Sequence, residues 1–101
     1  MELLSESVVD AALASGVGWQ RRDATLVKVH TGRVFADALA YVNAVGALAE
    51  AMDHHPDIDI RWNRVTLVLS THSAGGLTEA DLELARRIDA LDADSGNADP
   101  A

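Results

Sequence analysis

Apolar positions along the chain fall into three helical stretches and two pairs of short strands. From about Glu6 to Ala14, the residues Val8, Val9, Ala12 and Leu13 form a stripe at helical spacing. Ser5 or Ser7 is placed to accept the free amides at its start, and Gly16 and Gly18 break the pattern. Gly18 to Arg21 and Thr25 to Val29 then read as a strand pair across the short polar connection Arg22-Asp23-Ala24, although the second strand does not alternate strictly. His30-Thr31-Gly32 ends that strand, with His30 expected to be a solvated or capping side chain. The longest periodic segment runs from Val34 to about Asp53. Ala38, Val42, Val45, Ala49 and Met52 recur at helical spacing, Tyr41 and Leu48 widen the stripe, and the helix is expected to lie across a sheet or another helix. Pro56 disfavours helical dihedrals at His55, so this helix ends near Asp53 or His54.

Beyond Pro56, Asp57 to Trp62 alternates, with Ile58, Ile60 and Trp62 on one face and Asp57, Asp59 and Arg61 on the other. Asn63-Arg64 reads as a turn into a strand from Val65 to His72, whose Val65, Leu67 and Leu69 share a face and whose more polar side carries His72. Ser73-Ala74-Gly75-Gly76 is expected to be a flexible connection. Thr78-Glu79-Ala80-Asp81 then opens a last helix with Leu84, Ile88 and Leu91 at helical spacing. From about Ala93 the chain offers nothing to bury, which predicts one domain over residues 1–92 and a disordered tail over 93–101. The order α-β-β-α-β-β-α predicts an α+β fold, a four-stranded antiparallel sheet with three helices on one face. How the two hairpins pair is not encoded in the pattern.

Composition narrows the function. A chain of 101 residues supports one modest core, so self-association is expected. The hydrophobic share of 49% includes only 4% aromatic residues, so wide stacking platforms are not expected. A formal net charge of −8 disfavours nucleic acid and anionic membranes as partners. No cysteine is present, which removes disulfides, thiolate nucleophiles and thiolate metal sites. No apolar run approaches membrane-spanning length and no signal peptide is evident, so a cytoplasmic location is expected.

The candidate chemistry gathers at Glu50-Ala51-Met52-Asp53-His54-His55-Pro56, with a third histidine at His72. Histidine ionises nearest neutrality, so adjacent histidines beside carboxylates suit proton transfer. Glu50 stands four residues before His54, which puts acid and imidazole on one face if the last helical turn persists. Taken singly, each residue has a plainer reading. Asp81, three after Thr78, completes a capping box, Trp62 is a core or pocket wall, Glu50 and Asp53 are helix-surface acids, and His72 is a strand end. Metal-dependent hydrolysis is disfavoured, because adjacent histidines do not converge easily on one ion and no His-x-x-x-His pair is present.

Together these elements resemble the pterin-4a-carbinolamine dehydratase family. The shared pattern is an acid four before His-His-Pro, an aromatic a few residues on, a second histidine after a strand and an aspartate in the next helix. Here it is met by Glu50, His54-His55-Pro56, Trp62, His72 and Asp81, within a likeness from about Trp19 to Leu91 that includes Thr71 through Asp81 almost in full. Two positions depart from the pattern, Ile58 where an aromatic is frequent and Ala51 where lysine is frequent. The resemblance implies an α+β sandwich and dehydration of 4a-hydroxytetrahydropterin, with His54, His55 and His72 catalytic and Glu50, Asp53, Pro56, Trp62, Thr71, Ser73 and Asp81 binding or supporting. It implies no metal and no cofactor, a homodimer or homotetramer, and a link to an aromatic amino acid hydroxylase. Animal members also act as dimerisation cofactors for a homeodomain transcription factor, which sets a non-catalytic binding role beside turnover.

Overall fold

The computed structural model describes residues 2–14 and 18–98, with side chains to Asp92. The elements are α1 (Glu6–Ala14), β1 (Trp19–Arg22), β2 (Thr25–Thr31), α2 (Phe35–Met52), β3 (Asp57–Arg61), β4 (Arg64–Leu69), a 3₁₀ turn (His72–Ala74) and α3 (Glu79–Ala98). This is the expected α-β-β-α-β-β-α order. The four strands form one antiparallel sheet in the order β1-β2-β4-β3. The pairing that the sequence left open is β2 against β4, with Leu26 opposite Leu69 and His30 opposite Val65.

Strand alternation sorts the sheet into a covered and a bare face. Trp19, Leu26, Val65, Leu67 and Leu69 are buried beneath the helices, together with Val9 of α1, Ala38, Tyr41 and Val45 of α2, and Leu84 and Ile88 of α3. Their register partners one step along, such as Val29 and Asp59, stay exposed on the other face. Ser5 caps α1 by accepting the Val8 amide at 3.3 Å. Asp37 tightens the start of α2, its carboxylate taking the Arg33 amide at 2.9 Å and the Val34 amide at 3.4 Å. Those amides, led by that of Arg33, hold the Asp37 carboxyl below its ordinary range.

Three local expectations are corrected. The second hairpin turns on Trp62-Asn63, with Arg61 opposite Arg64, so Trp62 sits in the turn at φ 52° and is 66% exposed rather than extending the apolar face of β3. Asn63 explains the tight turn: its Nδ2 donates to the Gly32 carbonyl at 2.7 Å and its own carbonyl accepts the Gly32 amide at 2.8 Å. Strand β4 stops at Leu69, and residues 71–76 close into an ordered loop in which the Thr71 amide donates to the Gly76 carbonyl at 2.8 Å. His72 is therefore the first residue of a 3₁₀ turn, and Gly75 at φ 77° supplies the left-handed backbone that closes it.

His30 is not solvated. Its ring stacks on Tyr41 with centroids 3.7 Å apart, and its Nδ1 lies 3.5 Å from Asp92. Helix α3 runs to Ala98, and no proline interrupts it before Pro100. Gly16, expected to break the first helix, and residues 99–101 lie outside the described residues.

A polar cluster lies between the sheet and α3. Lys28 points inward from β2, its side chain 5% exposed, and pairs with Asp89 at 2.8 Å and with Asp92. The Trp19 indole donates to the same Asp89 oxygen at 2.7 Å.

Candidate active site

The exit from α2 decides where two histidines point. Asp53 adopts the left-handed conformation, φ 51° and ψ 43°, and its amide donates to the Ala49 and Glu50 carbonyls. The His54 amide reaches back to the Ala49 carbonyl at 3.1 Å, which completes a Schellman ending with aspartate where glycine is usual. The helix thus stops at Met52, two residues short of what a Glu50–His54 pairing needs. Instead His54 swings inward and its Nε2 meets Asp81 Oδ1 at 2.6 Å, whereas Glu50 pairs with Nε2 of His55. The contribution of Asp53 is conformational. Its side chain is exposed at the helix end.

Asp81 belongs to both readings that the sequence offered for it. As the third residue of α3 its Oδ2 accepts the Thr78 amide at 2.9 Å, half of a capping box, while its Oδ1 serves His54. Oδ2 also accepts the Thr71 hydroxyl at 2.8 Å, and the hydroxyls of Thr71 and Thr78 lie 2.7 Å apart. Asp81 is fully buried. The amino-terminal end of a helix favours a negative group there, and the three donors replace the water it has lost.

Thr71 brings in the third histidine. Its carbonyl accepts the Ala74 amide at 3.0 Å and the Gly75 amide at 2.9 Å, so the turn that begins at His72 is built on Thr71. The chain therefore joins His54, Asp81 and Thr71 by hydrogen bonds and sets exposed His72 next to Thr71, with exposed His55 beside His54. Half-buried Pro56 leads into β3, and Ser73 is exposed on the 3₁₀ turn. Trp62 is not brought to this group: it lies at the opposite end of β3, roughly 15–20 Å along the strand. Thr78 is the member that sequence reasoning passed over, although an aspartate three residues on marked it as a cap. A cavity of about 200 Å³ between α1 and the 71–76 loop is lined by Leu3, Leu4, Val9, Arg21, Gly76 and Leu77 among others, and not by the three histidines. Among the described residues, no cluster of three or more acids and histidines has metal-holding geometry, and no helix is long and apolar enough to cross a membrane.

The sequence model of the pterin 4 alpha carbinolamine dehydratase family matches residues 2–91. The chain belongs to that family. Among its relatives is a Mycobacterium sp. (strain KMS) protein that bears the name pterin-4-alpha-carbinolamine dehydratase on a provisional basis. It is 50% identical over 91 residues, covering 90% of this chain and 97% of the relative. A Thermomicrobium roseum protein of the same provisional name is 46% identical over 88 residues, 87% of this chain and 95% of its own. In structure, the chain is similar to a transcriptional coactivator/pterin dehydratase from Brucella melitensis, with TM-score 0.83 and 34% identity over 87% of this chain and 96% of that one. It is also similar to a pterin dehydratase-like protein described as a RuBisCO assembly factor in the alpha-carboxysome, with TM-score 0.60 and 28% identity over 75% and 88% of the two chains.

Proposed function

We propose that this protein dehydrates 4a-hydroxytetrahydropterin to quinonoid dihydropterin. In that reaction the C4a–O bond breaks, the departing hydroxyl takes a proton to leave as water, and N5 gives up its proton as the C4a=N5 bond forms. The overall change is loss of water with no net oxidation or reduction, so it needs an acid at the hydroxyl, a base at N5, and no redox cofactor or metal. The observation that carries the reading is the pair of histidine–carboxylate contacts at the α2 exit, beside the turn that bears His72. His54, His55 and His72 divide the acid and base work at the 4a centre between them. Glu50, Thr71 and Asp81 support them, and Asp53 and Pro56 shape the exit.

The relatives' names and the family match support this assignment. The net charge of −8 fits a small pterin better than nucleic acid as the ligand. We extend the reading to pterin recycling beside an aromatic amino acid hydroxylase in the cytoplasm, and to a homodimer or homotetramer, since β1 and β3 leave two sheet edges uncovered. A second reading, a non-catalytic assembly role, draws on the structural neighbour described as an assembly factor. A coupled assay with chemically generated 4a-carbinolamine, following absorbance as the quinonoid species forms, separates the two. Acceleration over the spontaneous rate is expected. A rate equal to the spontaneous one removes the dehydratase reading.

A further inference from the structure

Asp81 divides its two oxygens between two tasks. Oδ2 accepts the Thr71 hydroxyl and the Thr78 amide, at 2.8 and 2.9 Å, whereas Oδ1 faces His54 Nε2 at 2.6 Å. With both oxygens of Asp81 placed as acceptors, Oδ2 from Thr71 and Thr78 and Oδ1 from His54, the His54 contact places the hydrogen on Nε2. In the neutral ring the lone pair then belongs to Nδ1. Resting on the dehydratase reading, we propose that Asp81 is a positioning residue that holds His54 as the Nε2–H tautomer and makes Nδ1 the nitrogen offered to the pterin. Thr71 determines which carboxylate oxygen does the holding.

The burial contrast between the two histidine–carboxylate pairs gives this lock its weight. Glu50 and His55 are largely exposed, with side-chain accessibilities of 78% and 54%, so water competes for both and either tautomer of His55 can be served. Around Asp81 no such competition exists, for the carboxylate is fully buried and the His54 side chain is 14% exposed. The Thr78 amide can only donate, and it holds Oδ2 from the helix side. The Thr71 hydroxyl is the second donor on the same oxygen, and the backbone of the same residue anchors the turn of His72. One residue thus couples the orientation of His54 to the placement of His72. Its hydroxyl and its backbone can be tested apart.

An amide in place of the carboxylate reads out the arrangement. In Asp81→Asn the carbonyl must occupy the Oδ2 place, because the Thr78 amide needs an acceptor there, so the NH₂ falls against His54 Nε2. Nε2 must then accept, and the ring hydrogen moves to Nδ1. The experiment is a long-range ¹H–¹⁵N correlation spectrum of ¹⁵N-histidine-labelled protein without substrate, at about pH 9, above the ordinary histidine range. The His54→Gln variant identifies the resonance by its loss. Wild type is expected as Nε2–H and Asp81→Asn as Nδ1–H, with turnover lowered by roughly 10²–10⁴-fold across the pH profile. Thr71→Val is expected to keep Nε2–H but to lose about 10-fold in turnover, because the carboxylate is held by one donor fewer and orients the ring less firmly, and Thr71→Ser to restore the rate.

The proposal is overturned if wild-type His54 is Nδ1–H, if Asp81→Asn keeps Nε2–H, or if Thr71→Val matches wild type in turnover. Should Asp81→Asn not fold, the wild-type spectrum and the two Thr71 variants decide alone. Because the spectrum needs no substrate, an Nε2–H wild type without turnover would remove the dehydratase reading while leaving the tautomer lock in place.

Discussion

Replacing Lys28 by methionine keeps the length and apolar stem of the side chain but deletes the one cation of the cluster beneath α3. In the native chain the ammonium is 5% exposed, 2.8 Å from Asp89, and also pairs with Asp92, whose side chain is 32% exposed against 26% for Asp89. Without it, two carboxylates face each other over a buried methyl group, with the Trp19 indole left to serve Asp89. Removing one partner of a fully buried ion pair costs about 3–5 kcal/mol. Water reaches a quarter to a third of these carboxylates, so about 2–3 kcal/mol is expected here, with a cation–π contact to Trp19 at 5.7 Å adding a few tenths. For a domain of this size that is a fall in Tm of roughly 10–20 °C.

Urea unfolding at neutral pH, followed by circular dichroism, measures it. The decisive comparison adds Asp89→Asn and Asp92→Asn to Lys28→Met. Removing all three charges together should recover most of the loss, since no uncompensated charge is left behind. A single variant within about 0.5 kcal/mol of wild type would refute the idea that this cluster holds α3 to the sheet, and a triple variant no better than the single would refute the charge argument.

Other perturbations follow from neighbouring contacts. Tyr41 is the chain's one tyrosine, and burial first, then the charges of Asp92 and Asp89, push its phenol above the ordinary value of about 10. The folded form is thus favoured below that value and loses the advantage as pH rises. Near-ultraviolet absorbance should show no tyrosinate until the fold is lost, and a tyrosinate step near pH 10 with native circular dichroism would count against it. Gly32→Ala would set a Cβ 2.6 Å from the Asp37 Cβ, so a loss of about 1–3 kcal/mol is expected by denaturant titration. His72→Ala should lower turnover by about 10²–10⁴-fold with the fold intact, whereas His30→Ala should leave turnover per folded molecule unchanged and cost about 1 kcal/mol through its ring contact with Tyr41. Exhaustive chelation should leave the dehydratase rate unaltered, and a loss restored by zinc would point back to metal chemistry.

What the sequence disclosed was what local rules determine. Element order follows from periodicity, and the end of α2 from Pro56. The Thr78–Asp81 capping box follows from its three-residue spacing. What it hid are contacts between distant segments. Nothing local announces that His54 will choose Asp81, 27 residues away, over Glu50 four residues before it. That choice turns on the left-handed backbone at Asp53, which no glycine marked. The pattern runs one residue past the true end of β3 for a related reason. Alternation continues through Trp62, and the turn is fixed by the bond between Asn63 and Gly32, 31 positions apart. Lys28 interrupts an apolar alternation and so reads as a flaw in β2. Its partners on α3, more than 60 residues downstream, make it a core residue.

The placement of these acids on α3 explains how one helix serves two purposes. At 100° per residue, Asp81, Ala85, Ile88 and Asp92 project within about 40° of one direction, and Leu84 and Asp89 flank them. The sheet-facing stripe is therefore apolar in the middle and acidic at both ends. Leu84 and Ile88 are fully buried there, so hydrophobic contact fixes the helix laterally. The acids then act at its two ends: Asp81 joins the first turn to the α2 exit and the 71–76 loop, and Asp89 with Asp92 joins the later turns to β2. Only the first of these contacts touches a motif histidine. Neutralising Asp89 and Asp92 should accordingly register in stability and leave the His54 tautomer alone, while Asp81→Asn should reverse the tautomer in a molecule that still unfolds cooperatively.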